Sequence, residues 1–173
     1  MQSGVKIALG LVGSGLLAGG VIAAPAQAAP GDDPYDGPAN RTYVKSLQCP
    51  VRDPWPGPDL HTRVDVWNNI AHPSDGLPAP AIALIASTYR MQITMTPITE
   101  YTMWTRVLWR NVDTGRKGVV KVRTRADRNT WQVVLHPGRG RVNFEIRQSV
   151  EAMFVVPGVN PQTGVCRGSA QAV

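Results

Sequence analysis

The sequence predicts an all-β protein, an antiparallel sandwich of seven to nine short strands, and two observations carry this prediction. The 173 residues include 15 prolines and 17 glycines, too many helix-breaking residues for a helical bundle. From residue 81 onward, short segments with alternating apolar and polar residues are separated by turn signals. Alternation with period 2 is typical of strands with one buried face, and regular spacing of such strands is typical of sandwiches.

The segments that we interpret as strands follow one another along the chain. Residues 101–111 are apolar on both faces, which predicts a central strand that includes Trp109 in the core. Asp, Asn, Gly and Pro clusters at 113–115, 126–129 and 137–140 predict the turns. The predicted strands cover 42–48, 81–86, 89–96, 101–111, 120–125, 131–136, 141–147, 150–156 and 165–166. This number of strands is typical of sandwiches with immunoglobulin-like architecture.

The segment 59–71 fits two interpretations. Leu60, Val64 and Trp67 fall at helical spacing, and Pro73 would end a helix. Alternating residues around Val64 also fit a strand, and the segment contains several residues that favour helix poorly. We expect one short helix over 59–71, with a strand as the alternative.

The amino terminus has the pattern of an export signal. Residues 7–24 carry no charge, and Ala26-Gln27-Ala28 follows them as a small-x-small cleavage site. We therefore predict a signal peptide over 1–28, cleaved between Ala28 and Ala29, and a secreted or otherwise extracytoplasmic protein. An uncleaved anchor is the alternative, because the uncharged stretch approaches the length of a membrane-spanning helix.

The remaining chain is predicted to form one domain. Residues 29–40 are rich in Pro, Gly and Asp, which indicates a flexible lead-in, and 41–173 are assigned to a single β-sandwich. No later segment is long and apolar enough to span a bilayer, so the mature form should have no transmembrane segment.

The two cysteines, Cys49 and Cys166, agree with export. Neither belongs to a CxxC motif, and two cysteines in an oxidising compartment most simply form one disulfide. The predicted bridge joins the first strand to the end of the fold. Free thiols or an intermolecular bridge are the alternatives.

Basic residues are concentrated in one part of the chain. Residues 106–147 contain 11 basic and 3 acidic side chains, a net charge of +8, whereas the whole sequence carries +6. Period-2 alternation places Lys121, Arg123 and Arg125 on one strand face, with further arginines on a neighbouring strand and its turn. The predicted binding residues are Lys121, Arg123, Arg125, Arg139, Arg141 and Arg147.

Such a basic surface suits an anionic polymer or lipid of the cell envelope, or another anionic extracellular ligand. We do not expect nucleic acid as a partner, because single-strand binders stack bases on aromatic rings. Trp131 is the one large aromatic residue placed near these cations by this interpretation, and its parity points it inward. The alternative to a binding surface is an ordinary solvated face.

No motif in the sequence predicts catalysis, a metal or a cofactor. There is no GxSxG, HExxH, P-loop or Cys/His cluster. Asp113-Thr114-Gly115 matches the aspartic protease tripeptide but is followed by Arg116 and Lys117 and has no second copy, so we interpret it as a turn. We expect a non-enzymatic protein without a cofactor. A small secreted hydrolase with a spatially assembled site is the alternative, and a structural surface protein is a third possibility.

Three stretches of the sequence resemble a known group of proteins. WRNVDTGRKGVV, HPGRGRVNFEI and FVVPG are similar to segments of small exported β-sandwich proteins of mycobacteria and related actinobacteria, mostly of undefined function. The resemblance covers residues 81–160. It implies a secreted immunoglobulin-like domain and no transferable active site.

Overall fold

The computed structural model of the protein describes residues 41–88, 100–153 and 158–173, which form eight antiparallel strands and no helix. The predicted all-β antiparallel sandwich is thereby confirmed. The strands are β1 (Thr42–Val51), β2 (Leu60–Asn68), β3 (Ile82–Thr88), β4 (Glu100–Asn111), β5 (Lys117–Ala126), β6 (Trp131–Leu135), β7 (Gly140–Met153) and β8 (Val159–Ala172).

The strands form two four-stranded sheets. Sheet A has the order β1-β2-β3-β6, and sheet B has the order β5-β4-β7-β8, so that β4 and β7 are central in sheet B. After β4 and β5 pair in sheet B, β6 joins sheet A beside β3, and β7 returns to sheet B. Strands that change sheets in this way characterise sandwiches of immunoglobulin-like architecture.

The inner faces of the two sheets enclose two apolar clusters separated by polar side chains. Along β7, Ile146 belongs to the larger cluster and Val150 to the smaller one, with Gln148 between them. Gln148 is 3% exposed and donates from Nε2 to the carbonyl oxygen of Cys49 at 3.0 Å. Asn129 donates to Thr62 Oγ1 at 2.7 Å in the same layer. These hydrogen bonds compensate the cost of burying polar groups between the sheets.

The expected helix over 59–71 is wrong, because residues 60–68 form strand β2. Val64 and Val66 are fully buried on the inner face of sheet A, and β2 pairs with both β1 and β3. The alternation around Val64 is therefore the meaningful pattern, and the helical spacing of Leu60, Val64 and Trp67 is coincidental. β-Branched residues in this segment favour the strand over the helix.

Two further boundaries differ from the prediction. The segments 141–147 and 150–156 are predicted as separate strands, but Gly140–Met153 is one continuous strand, since buried Gln148 keeps the inward alternation. The last strand is far longer than residues 165–166, because β8 pairs along most of β7. The burial of Trp109 also differs from the prediction: the residue was expected in the core, but it is only half-buried at the edge of the larger apolar cluster.

Several predictions lie outside the described residues. They are the signal peptide over 1–28 with its cleavage site at Ala28 and Ala29, the lead-in over 29–40, the strand over 89–96 and the end of the segment 150–156.

The predicted disulfide between Cys49 and Cys166 is confirmed, with the two Cα atoms 5.4 Å apart. It joins β1 of sheet A to β8 of sheet B, and Cys49 is almost fully buried. The bridge spans a sequence separation of 117 residues. Chain-entropy arguments give a loop of this size a stabilisation of at most about 5 kcal/mol.

Asn111, at the end of β4, holds two turns together from a fully buried position. Its Nδ2 donates to the carbonyl oxygens of residues 137–139 at 2.8–3.3 Å, and its Oδ1 accepts from the backbone N–H groups of Asp113 and Thr114. Gly115 then takes a φ of 76°, which favours glycine. The tripeptide 113–115 is thus part of a turn, as the sequence indicates.

Replacing Asn111 by Ala should lower the free energy of unfolding by about 2–4 kcal/mol, because it leaves one buried and four part-buried backbone groups without their partner, at about 1–3 kcal/mol for a buried group. Urea denaturation of both proteins measures this difference. Asn143→Ala, at an exposed position of β7, is the control and should change stability by no more than about 0.5 kcal/mol. Equal midpoints for the two variants would show that Asn111 does not hold the turns.

Candidate functional site

The outward-facing side of sheet B carries most of the positive charge of the described residues, and we call it the basic face. Nine exposed basic side chains share this face with three acidic ones, Glu100, Glu145 and Glu151. The nine are Arg106 and Arg110 of β4, Lys117, Lys121, Arg123 and Arg125 of β5, Arg141 and Arg147 of β7, and Arg167 of β8.

The burial of alternate apolar residues brings these cations to one side. Val107, Val122 and Ile146 are buried in the core from β4, β5 and β7. Since successive side chains of a strand point to opposite faces, their neighbours must point outward. The register then aligns the outward residues of adjacent strands in rows across the sheet.

The middle of the basic face is a row of three cations. Arg106 lies directly opposite Lys121 on one side and Arg147 on the other. Side chains directly opposite each other in antiparallel strands have Cβ atoms about 4.5–5.5 Å apart, and like charges at this distance are destabilising. Neither Arg106 nor Lys121 forms an ion pair with any acidic group of the described residues.

Two of the three carboxylates neutralise cations near the edges of this row. Glu145 accepts from Arg147 Nε at 2.6 Å and from Arg167 Nε at 2.7 Å, and these hydrogen bonds hold the pKa of Glu145 below its usual range. Arg125 Nε donates to Glu100 at 2.7 Å. Arg125, Arg147 and Arg167 are therefore neutralised, whereas the other six cations of the face have no ion pair among the described residues, with Arg106 and Lys121 at the centre.

Trp104 adds an aromatic ring beside the cationic row. It is 47% exposed and lies opposite Arg123, whose guanidinium carbon is 4.5 Å from the ring centroid. This is a cation–π contact. The guanidinium group of Arg123 is thus held against the sheet, whereas the side chain of Lys121 has no comparable contact among the described residues.

The structure places five of the six predicted binding residues on the basic face and one outside it. Lys121, Arg123, Arg125, Arg141 and Arg147 lie on the face. Arg139 lies in the turn before β7, where its carbonyl oxygen accepts from Asn111. Strand β6 pairs with β3 in sheet A, and in sheet B β4 lies between β5 and β7. The register of these strands places Arg141 at the opposite end of the sheet from Arg123.

Sequence analysis missed four members of the basic face: Arg106, Arg110, Lys117 and Arg167. Arg106 and Arg110 share the parity of Trp104 and Leu108, which made β4 look apolar on both faces. Arg106 and Arg110 are four residues apart, which is two periods of a strand, and this spacing could have placed both arginines on one face.

The basic face carries a large aromatic residue that was not predicted there. Trp131 is buried as predicted, but Trp104, which the interpretation placed in a buried central strand, is the large aromatic residue on the basic face. It is exposed because its parity opposes that of Met103 and Thr105, which are buried. Trp104 is one ring, whereas single-strand binders present successive stacking rings.

The structure also places the residues of the weaker motifs. Asp113 Oδ2 accepts from the backbone N–H of Arg141 at 2.7 Å, a bond within the pair of turns.

In the described part of the chain, no group of three or more His, Cys, Asp or Glu side chains is placed to hold a metal ion. The described residues also contain no helix with the length and hydropathy of a membrane span.

Comparison with protein-family models, curated proteins and solved structures finds no match for this chain.

Arg106→Gln should raise the free energy of unfolding by about 0.2–1 kcal/mol at low ionic strength, because it removes a charge flanked by two like charges. Salt should reduce this gain, since exposed charges are screened over about 10 Å at 0.1 M. Denaturant unfolding at two salt concentrations measures both effects, with exposed Arg52→Gln as the control. A destabilised Arg106→Gln protein at low salt would contradict the assigned repulsion.

Proposed function

We propose that this chain is an exported, non-enzymatic binding protein that docks through its basic face onto anionic ligands of the cell envelope. The observation that carries the proposal is the pair Arg106 and Lys121, exposed at the centre of a nine-cation face with no acidic partner among the described residues.

Like charges placed side by side reduce the stability of the folded state unless an anion lies between them. A phosphate, sulfate or carboxylate over the row Lys121–Arg106–Arg147 would convert this repulsion into attraction. Guanidinium groups suit such ligands because they donate two parallel hydrogen bonds to a planar or tetrahedral oxyanion.

The remaining features of the chain are compatible with work outside the cytoplasm. A disulfide between the two cysteines is expected where the environment is oxidising. The uncharged segment over 7–24 and the Ala26-Gln27-Ala28 site support export by a cleaved signal peptide. A rigid sheet fixed by this bridge would present the cations to a surface at little entropic cost.

Binding to an anionic surface should depend on the centre of the basic face. For vesicles containing phosphatidylglycerol, Arg106→Gln with Lys121→Gln should weaken binding about 30-fold at low salt, since each basic residue at an anionic leaflet contributes about 1 kcal/mol. Sedimentation with vesicles across a salt series measures the loss, and dextran sulfate against neutral dextran tests a polymer ligand.

The matched control is Arg52→Gln with Arg128→Gln, which removes the same charge from exposed positions outside the nine-cation set. This control should bind nearly as well as the wild type. If both double variants lose the same amount of vesicle binding, net charge rather than the basic face accounts for the loss. No binding of the wild type at low salt would contradict the proposed function.

Export should yield a mature chain that begins at Ala29, because the small residues Ala26 and Ala28 suit signal peptidase. Amino-terminal sequencing of protein recovered outside the cytoplasm measures this directly. Ala28→Leu, which places a large residue at the cleavage position, should leave a longer product. A product that keeps Met1 would refute cleavage.

A further inference from the structure

A concavity of about 790 Å³ lies at one end of the basic face. It is lined by two neighbouring outer rows of sheet B, which include Leu108 and Val119 in one row and Arg110 and Lys117 in the next. Lys45 and Leu47 of β1 complete the lining. The volume is within the range of about 300–1,000 Å³ that is usual for small-molecule sites.

Leu108 and the exposed Val119 supply the apolar part of the lining on the outer face, and two aromatic rings, Trp109 and Phe144, lie behind it with the inward parity of Val107 and Ile146. Trp109 lies over Gly118 of β5, where a Cβ atom would come within 2.5 Å of the indole ring. Phe144 lies over Gly168 of β8, where a Cβ atom would be 2.7 Å from the phenyl ring. The rings therefore extend towards opposite edges of sheet B, and both edge positions require glycine to admit them.

The charge of this concavity is positive. Lys45, Arg110 and Lys117 line it without an ion pair to any acidic group that the structure describes. Glu145 also lines it, but this carboxylate is already bound by Arg147 and Arg167. The site thus combines apolar surface with cations that have no partner to neutralise them.

We propose that this concavity binds the acyl chain of an anionic amphiphile, with the head group held by Arg110 and Lys117. Apolar lining favours burial of a hydrocarbon chain, and the unpaired cations favour a phosphate or carboxylate at its end. A fully polar polyanion would leave the apolar lining unused, and a neutral lipid would leave the cations unpaired. The inference rests on the proposed function, because it names the class of ligand that the same face takes.

Isothermal titration calorimetry with dodecyl phosphate, below its critical micelle concentration, tests the inference. The mature protein should bind dodecyl phosphate at least about a hundredfold more tightly than inorganic phosphate, since each buried methylene adds affinity. Neutral dodecyl maltoside should bind at least about tenfold more weakly than dodecyl phosphate, because it lacks the charge.

Two charge-matched variants locate the site. Arg110→Gln with Lys117→Gln should weaken dodecyl phosphate binding by about tenfold or more, because it removes both head-group donors. Arg52→Gln with Arg128→Gln removes the same charge from exposed positions outside the basic face and the concavity and should change affinity less than about threefold. Val119→Trp, at an exposed lining position, should obstruct the chain while the protein stays folded by circular dichroism.

The outcomes separate this inference from the proposed function. If dodecyl phosphate binds no more tightly than inorganic phosphate, or if both charge variants lose affinity equally, the amphiphile site is overturned even where salt-dependent vesicle binding persists. The opposite result is also possible: the protein binds neither vesicles nor dextran sulfate, yet it binds dodecyl phosphate, and only changes at Arg110, Lys117 or Val119 abolish that binding. The amphiphile site would then be supported and the broader docking function contradicted.

Discussion

The structure depends on one constraint, the burial of every second side chain of sheet B against sheet A. Val107, Val122 and Ile146 occupy the core, so their neighbours on β4, β5 and β7 must face outward. A slip of one residue in any of these strands would bury arginines and expose the core. The same interaction that stabilises the sandwich therefore sets Arg106 between Lys121 and Arg147 and creates the basic face.

The connections between the sheets keep this register in place. The bridge from Cys49 to Cys166 joins the first and last strands, and the polar layer of Thr62, Asn129 and Gln148 links strands of both sheets. Hydrogen bonds in a buried layer require particular partners, whereas apolar contacts accept shifted ones. The outward side chains of sheet B are thereby held in fixed rows, in which the repulsion between neighbouring cations persists.

The fold was predicted correctly where a segment shows a single periodicity, and less well where helical and strand periodicities coincide. Alternation alone identified β5, and the presence of only two cysteines identified the bridge between Cys49 and Cys166. Around Val64, helical and strand spacing coincide, and only pairing with two neighbouring strands decides between them. Arg106 was missed because Trp104 and Leu108 share its parity, and its place between Lys121 and Arg147 depends on strand register, which local sequence does not contain.

The most direct test of the basic face is an amide chemical-shift map of the isotope-labelled mature protein titrated with bicelles containing phosphatidylglycerol. The largest changes should lie on β4, β5 and β7 around Arg106 and Lys121, and they should disappear as salt screens the charges. Changes centred on the outer side of sheet A, or no changes at low salt, would contradict a binding surface on sheet B.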